Sequence, residues 1–194
     1  MSIFLPIKKL SKWRQMAFAA SLLERMLPNY QLFSESSDFG QFQLLRNQLD
    51  LVWQHLGASK VRLNIEVQLE KLEEQIPEVS EHDSFGVYPA LDACMALSSL
   101  IQFVGKAEDE LIQQVSQLSA NSVSSYVELL INHDDDTIEI SNELIKQHPL
   151  MQWEKESQSE LFDFVKDAKE NQQTITDLKS MALAEGVSNL GIEI

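Results

Sequence analysis

Asp92 is the acid of this sequence best placed to do chemistry, four residues after Tyr88 and inside the most apolar run of the chain, Pro89–Val104. A carboxylate held in apolar surroundings keeps its proton to higher pH, so it can serve as a base or a cation ligand. With it we group Tyr88, the Glu24-Arg25 pair and Ser188-Asn189 as side chains that would converge if the chain holds a small-ligand site. The structural reading of Asp92 carries more weight: an acid one turn into a helix complements the positive end of the dipole. Cys94, flanked by Ala93 and Met95 with no basic neighbour, reads as an inert buried thiol. Glu24 and Arg25 are also candidates for an internal ion pair at a helix end.

Several common chemistries are closed. The glycines at 40, 57, 86, 105, 186 and 191 stand apart, leaving no dinucleotide turn and no phosphate-cradling loop. His55, His82, His133 and His148 lack a glutamate three residues before them, so the di-iron pattern of helical bundles is absent. One cysteine and scattered histidines make no zinc pattern. Asp134-Asp135-Asp136 lacks the alternation and central glycine of a calcium loop, and Glu66, Glu70, Glu73 and Glu74 read as a solvated helix face. We therefore expect no catalytic residue, no cofactor and no metal.

These groups must be positioned by helices. Apolar residues recur at three-and-four spacing in Lys8–Leu27, Gln41–Leu56 and Lys60–Ile76. The pattern predicts that Pro28-Asn29 stops the first helix, that Tyr30–Ser36 is a short helical turn, and that Gly57 is a left-handed cap. Pro89–Val104 is apolar around all but a narrow polar stripe of Asp92, Ser98, Ser99 and Gln102, so it should be a core helix ending at Gly105. It is shorter than the ~18 to 20 apolar residues of a bilayer span and carries an acid, which argues against a membrane helix. Ala107–Asn132 follows as one helix or two meeting near Asn121, and His133–Asp136 as a loop. Ser141–Gln147 is a short helix, and a long amphipathic segment from Pro149 to Glu185 should break at Asn171-Gln172. The tail after Gly186 should dock in extended form.

The 194 residues include 44% hydrophobic residues and no linker-like tract, which fits one domain, 1–194, of all-α class: a bundle of seven to nine helices around a central apolar one. The net charge is −15, distributed as +4 through Arg62 and −19 beyond it. Such a surface repels nucleic acid. The basic cluster Lys8–Arg14 reads as a first helix that pairs with the acidic body or with its dimer mate. The N-terminus lacks a signal-like apolar region, and one cysteine suits a reducing compartment, so a cytoplasmic setting is expected.

Several segments resemble the bacterial YjaG-like family, a domain of unknown function. They are Leu23-Glu24-Arg25-Met26 with Pro28-Asn29-Tyr30, Leu49-Asp50-Leu51-Val52-Trp53, and Gly86-Val87-Tyr88-Pro89-Ala90-Leu91-Asp92-Ala93-Cys94, together with Ser188-Asn189-Leu190-Gly191-Ile192. The resemblance spans nearly the whole chain and is weakest over His133–Gln147. It implies a compact helical fold in the bacterial cytoplasm and no particular activity. The expected function is that of a protein-interaction or regulatory module, with a protein partner or a homodimer and with no nucleic-acid or membrane role. Two alternatives stand beside it: a ligand binder or enzyme with a carboxylate site near Asp92 and Tyr88, and an acidic inhibitor of a basic partner.

Overall fold

A computed structural model describes residues 3–57, 61–134, 137 and 139–194. Among them are eight α-helices: α1 Lys12–Ser37, α2 Phe42–Leu56, α3 Ile65–Glu73, α4 Val87–Lys106, α5 Asp109–Asp134, α6 Asn142–Gln147, α7 Pro149–Asp167 and α8 Gln172–Ala182. The all-α class and the count agree with the hydrophobic spacing.

α4 is the centre. It packs against α1, α5, α3 and α2, and Ala93, Cys94, Ala96, Leu97, Leu100 and Ile101 are fully enclosed. It is the one helix among the described residues long and apolar enough to cross a membrane, yet 61% of its most apolar window is buried inside the fold. Its apolar circumference is thus satisfied by protein rather than lipid. Tyr88 and Met95 look outward, whereas the polar stripe runs along the joint with α5, where Ser99 is buried against Gln114 and Asp92 meets Ser122.

At three helix ends the proline or glycine signal departs from the expectation. Pro28 does not stop α1, which continues to Ser37 and absorbs the predicted Tyr30–Ser36 turn. A proline removes one ladder bond and crowds the carbonyl four residues back, a cost that tertiary packing can offset. Here Asn29, Tyr30 and Phe33 are all buried on the far side of Pro28. Asp38, in the left-handed conformation at φ 53°, ends the helix instead. Gly57 caps α2 in extended backbone rather than left-handed. Gly105 lies inside α4, and Ala107 at φ 54° takes the left-handed position.

Elsewhere side chains mark the boundaries as their chemistry dictates. Ser11 Oγ accepts from Arg14 N at 3.2 Å, Ser141 Oγ from Leu144 N at 3.2 Å, and Asn171 Oδ1 from Thr174 N at 3.0 Å. Asn171 is therefore the break between α7 and α8 that the interrupted seam announced. α3 is shorter than its predicted span, starting at Ile65 with Asn64 as its cap; Lys60 falls outside the described residues. α5 runs through Asn121 as one helix and takes in His133 and Asp134, while Asp135 and Asp136 fall outside the described residues. The tail folds back on itself through a bridge between Val187 and Glu193, and Ser188, Asn189 and Leu190 are buried.

Candidate functional site

The six residues expected to converge are divided by the fold into three places. The first lies between α1, α5, α7 and the tail. Arg25 Nη1 donates to Glu154 at 2.8 Å, and both side chains are almost wholly enclosed. Glu154 Oε1 accepts from Ser119 Oγ at 2.6 Å and from Gln158 Nε2 at 2.7 Å. Gln158 in turn accepts from Ser116 Oγ at 2.6 Å. The tail completes the network. Asn189 Nδ2 donates to Ser119 Oγ at 3.1 Å, its Oδ1 accepts from Asn29 Nδ2 at 2.7 Å, and its backbone N–H donates to Arg25 O at 2.9 Å. Ser188 Oγ accepts from Leu190 N at 3.2 Å and so shapes the turn that delivers Asn189. Arg25, Ser188 and Asn189 are thus brought together.

Glu24 belongs to a second place, between α1, α2 and α8. Arg46 grips it through two bonds of 2.5 and 3.0 Å, and Trp53 Nε1 donates to it at 2.7 Å. Arg46 also donates to Asp50 at 2.7 Å, and Lys179 stands 3.4 Å from that carboxylate. Burial opposes the charge on Arg46, but the hydrogen bonds and charges of Glu24 and Asp50 together outweigh it and raise its pKa. The expected Glu24–Arg25 ion pair does not form, because adjacent residues on a helix face different neighbours.

Tyr88 and Asp92 make the third place, on α4, with Tyr88 exposed and Asp92 partly buried at the joint with α5. Asp92 Oδ2 accepts from Ser122 Oγ of α5 at 2.6 Å. Burial raises the Asp92 pKa, and the Ser122 bond only partly counters it. No hydrogen bond or ion pair among the described residues joins Asp92 or Tyr88 to Arg25, Glu24, Ser188 or Asn189. Cys94 is enclosed with Sγ 3.5 Å from Gln75 O, and burial pushes its thiol far up, as suits an inert group. Among the described residues no three His, Cys, Asp or Glu side chains gather as metal ligands.

Glu154 and Gln158 were missed from the sequence, though a signal existed. Met151, Glu154, Gln158, Leu161 and Val165 are all buried on α7, and their three-and-four spacing places two polar residues on the seam itself. A polar residue at a seam position announces a buried partner.

The sequence matches the family described as "Protein of unknown function (DUF416)" over residues 2–193. The chain belongs to the DUF416 family. It is 35% identical over 191 residues to "Uncharacterized protein YjaG" of Escherichia coli (strain K12), covering 98% of this chain and 95% of that protein. A protein of Haemophilus influenzae is 35% identical over 190 residues, covering 96% and 94% of the two chains. A crystal structure of a DUF416 family protein from Shewanella baltica OS155 superposes with a TM-score of 0.88 at 35% identity, over 97% of this chain and 96% of that one.

This DUF416 protein also carries an aromatic group at the surface beside Asp92. Tyr88 is 49% exposed. Its ring lies 5.9 Å from Phe85, which lies 5.8 Å from Tyr126 on α5. Met95, 37% exposed, is two helical turns beyond Tyr88, and Leu129, 40% exposed, is one turn beyond Tyr126. The exposed acids Glu81, Asp83 and Glu128 stand close by in the chain.

Proposed function

We propose that this protein is a protein-interaction module that docks a basic partner on the face formed by Phe85, Tyr88, Met95, Tyr126 and Leu129. One observation carries the reading: Tyr88 stands half exposed and joins through the partly exposed Phe85 ring to Tyr126, with exposed Met95 and Leu129 farther along α4 and α5, while Glu24, Glu154 and Asn189 are held by internal bonds. Aromatic residues supply much of the binding energy at interface centres, and a charged rim steers the encounter. The acidic surroundings and the net charge of −15 favour a basic partner over a second copy, which would set like charges face to face. A partner whose working surface is covered in this way would be inhibited by it.

The test compares the wild type with Tyr88→Asp and Tyr126→Ala in affinity capture with chemical crosslinking, followed by measurement of the recovered complex. The expected result is a basic protein held by the wild type and lost by both variants, with an affinity that falls as salt rises. A partner that both variants keep would overturn the proposal. So would a wild-type homodimer that Tyr88→Asp dissociates.

A further inference from the structure

Glu24 and Glu154, the enclosed carboxylates, are each held by an arginine, Arg46 and Arg25. Arg25 also lies over the ring of Trp153, at 4.5 Å, so the chain itself seats an arginine between an aromatic ring and a buried acid. Asp92 has no such partner. It is half-buried and forms no ion pair among the described residues. Lys106, at the far end of α4, is the sole lysine or arginine between Leu72 and Ile145. Asp92 Oδ2 is taken by Ser122. Its Oδ1 accepts no hydrogen bond among the described residues and is not one of the unpartnered polar atoms shut off from water, so a donor from outside can reach it.

The helix register brings the aromatic rings to the same spot. Ser99 meets Gln114 and Asp92 meets Ser122, so α4 and α5 run antiparallel. Tyr88 is one turn before Asp92 and Tyr126 one turn after Ser122, which sets the two tyrosines level across the joint and next to the Asp92–Ser122 pair. Side chains on a helix lean toward its N-terminus. Asp92 therefore leans toward the level of Tyr88, and Tyr126 leans toward that of Ser122. Phe85 joins the tyrosines, 5.9 Å from Tyr88 and 5.8 Å from Tyr126.

We propose that the docking face reads an arginine of the basic partner, its guanidinium laid on the rings of Tyr88 and Tyr126 and donating to Asp92 Oδ1. This rests on the docking reading above and names the group that the face recognises. A guanidinium is planar and weakly hydrated, so it can stack on a ring and donate in its own plane at once. An ammonium is a compact, strongly hydrated charge and does this less well. A neutral donor would leave the half-buried carboxylate without a counter-ion. Burial already makes Asp92 reluctant to ionise, so a cation brought to it relieves a cost that the free protein carries.

The experiment titrates the isotope-labelled protein by NMR with three acetylated, amidated tripeptides that carry arginine, lysine or citrulline between two glycines. The expected result is that the arginine peptide shifts the Asp92 carboxyl carbon and the ring signals of Tyr88 and Tyr126. The citrulline peptide, of the same shape without the charge, should bind at least about tenfold more weakly, and the lysine peptide at least about threefold. Equal binding of either, shifts spread over the acidic surface or confined to another place, or no binding of any peptide at millimolar concentration would overturn the inference. Asp92→Asn, which keeps an oxygen for Ser122, should bind the arginine and citrulline peptides alike; retained discrimination would also overturn it. Should no peptide bind while Tyr88→Asp still loses its partner, the arginine falls and the docking face stands. Should the peptides behave as expected while Tyr88→Asp keeps its partner, the docking face falls and the arginine site stands.

Discussion

Arg25 and Asp92 are both acid–base groups removed from water, and they respond to substitution in opposite ways. Arg25 depends on Glu154, so Glu154→Ala leaves a guanidinium enclosed without its counter-ion and should cost about 3–5 kcal/mol. Urea unfolding should show this as a lower midpoint at unchanged slope. Asp92 is an acid that burial makes reluctant to ionise. The folded chain therefore binds its proton to higher pH than the unfolded chain does, and unfolding free energy falls as pH rises through that interval. Asp92→Asn keeps an oxygen for Ser122 and removes the titration. Relative to wild type it should be near neutral in acid and gain stability as pH climbs above the ordinary aspartate value of 3.8. Denaturation curves at pH 3.5 and pH 7 check the sign. At this scale the sequence shows residue types well and partners poorly. Cys94 is legible as buried from its apolar neighbours alone. Arg25 and Glu154 are 129 positions apart, and no local pattern could pair them.

At the scale of elements, the spacing of apolar residues located the helices, and Ser141 and Asn171 were readable as boundaries, while α1, expected from Lys8, instead starts at Lys12 behind the Ser11 cap. Ser11, Ser141 and Asn171 each hold an orphan backbone N–H. Ser11→Ala and Asn171→Ala should each cost about 1 kcal/mol, read as a drop of a few degrees in thermal midpoint. The stops were harder to read. Proline and glycine carry local preferences of a few kcal/mol at most, and packing overrode them at Pro28, Gly57 and Gly105. The clearest case is α1, where the buried residues beyond Pro28 hold the helix together past its weakest point. Gly40 shows where a glycine is required. It stands at φ 69°, and a Cβ there would collide with the hydroxyl of Tyr30, so Gly40→Ala should destabilise by more than either cap loss in the same thermal assay.

At the scale of the molecule, the tail acts as the closing piece. Asn189 reaches Arg25, Asn29 and Ser119 at once, so removal of residues 187–194 should open the polar interior and destabilise the fold more than any single cap substitution. Urea unfolding of the truncated chain measures this directly. The tail, expected to dock in extended form, turns back on itself through the Val187–Glu193 bridge, and its role was not readable, because its bonds run to residues 70 and 160 positions away. Such spans also have a meaning in time. Translation delivers about 5–20 residues per second, so Arg25 leaves the ribosome roughly 6 to 26 s before Glu154 exists to neutralise it. Throughout that wait the first helix is a basic, half-made object in a chain that will finish strongly acidic, and its charge has only solvent, or a chaperone, to answer it.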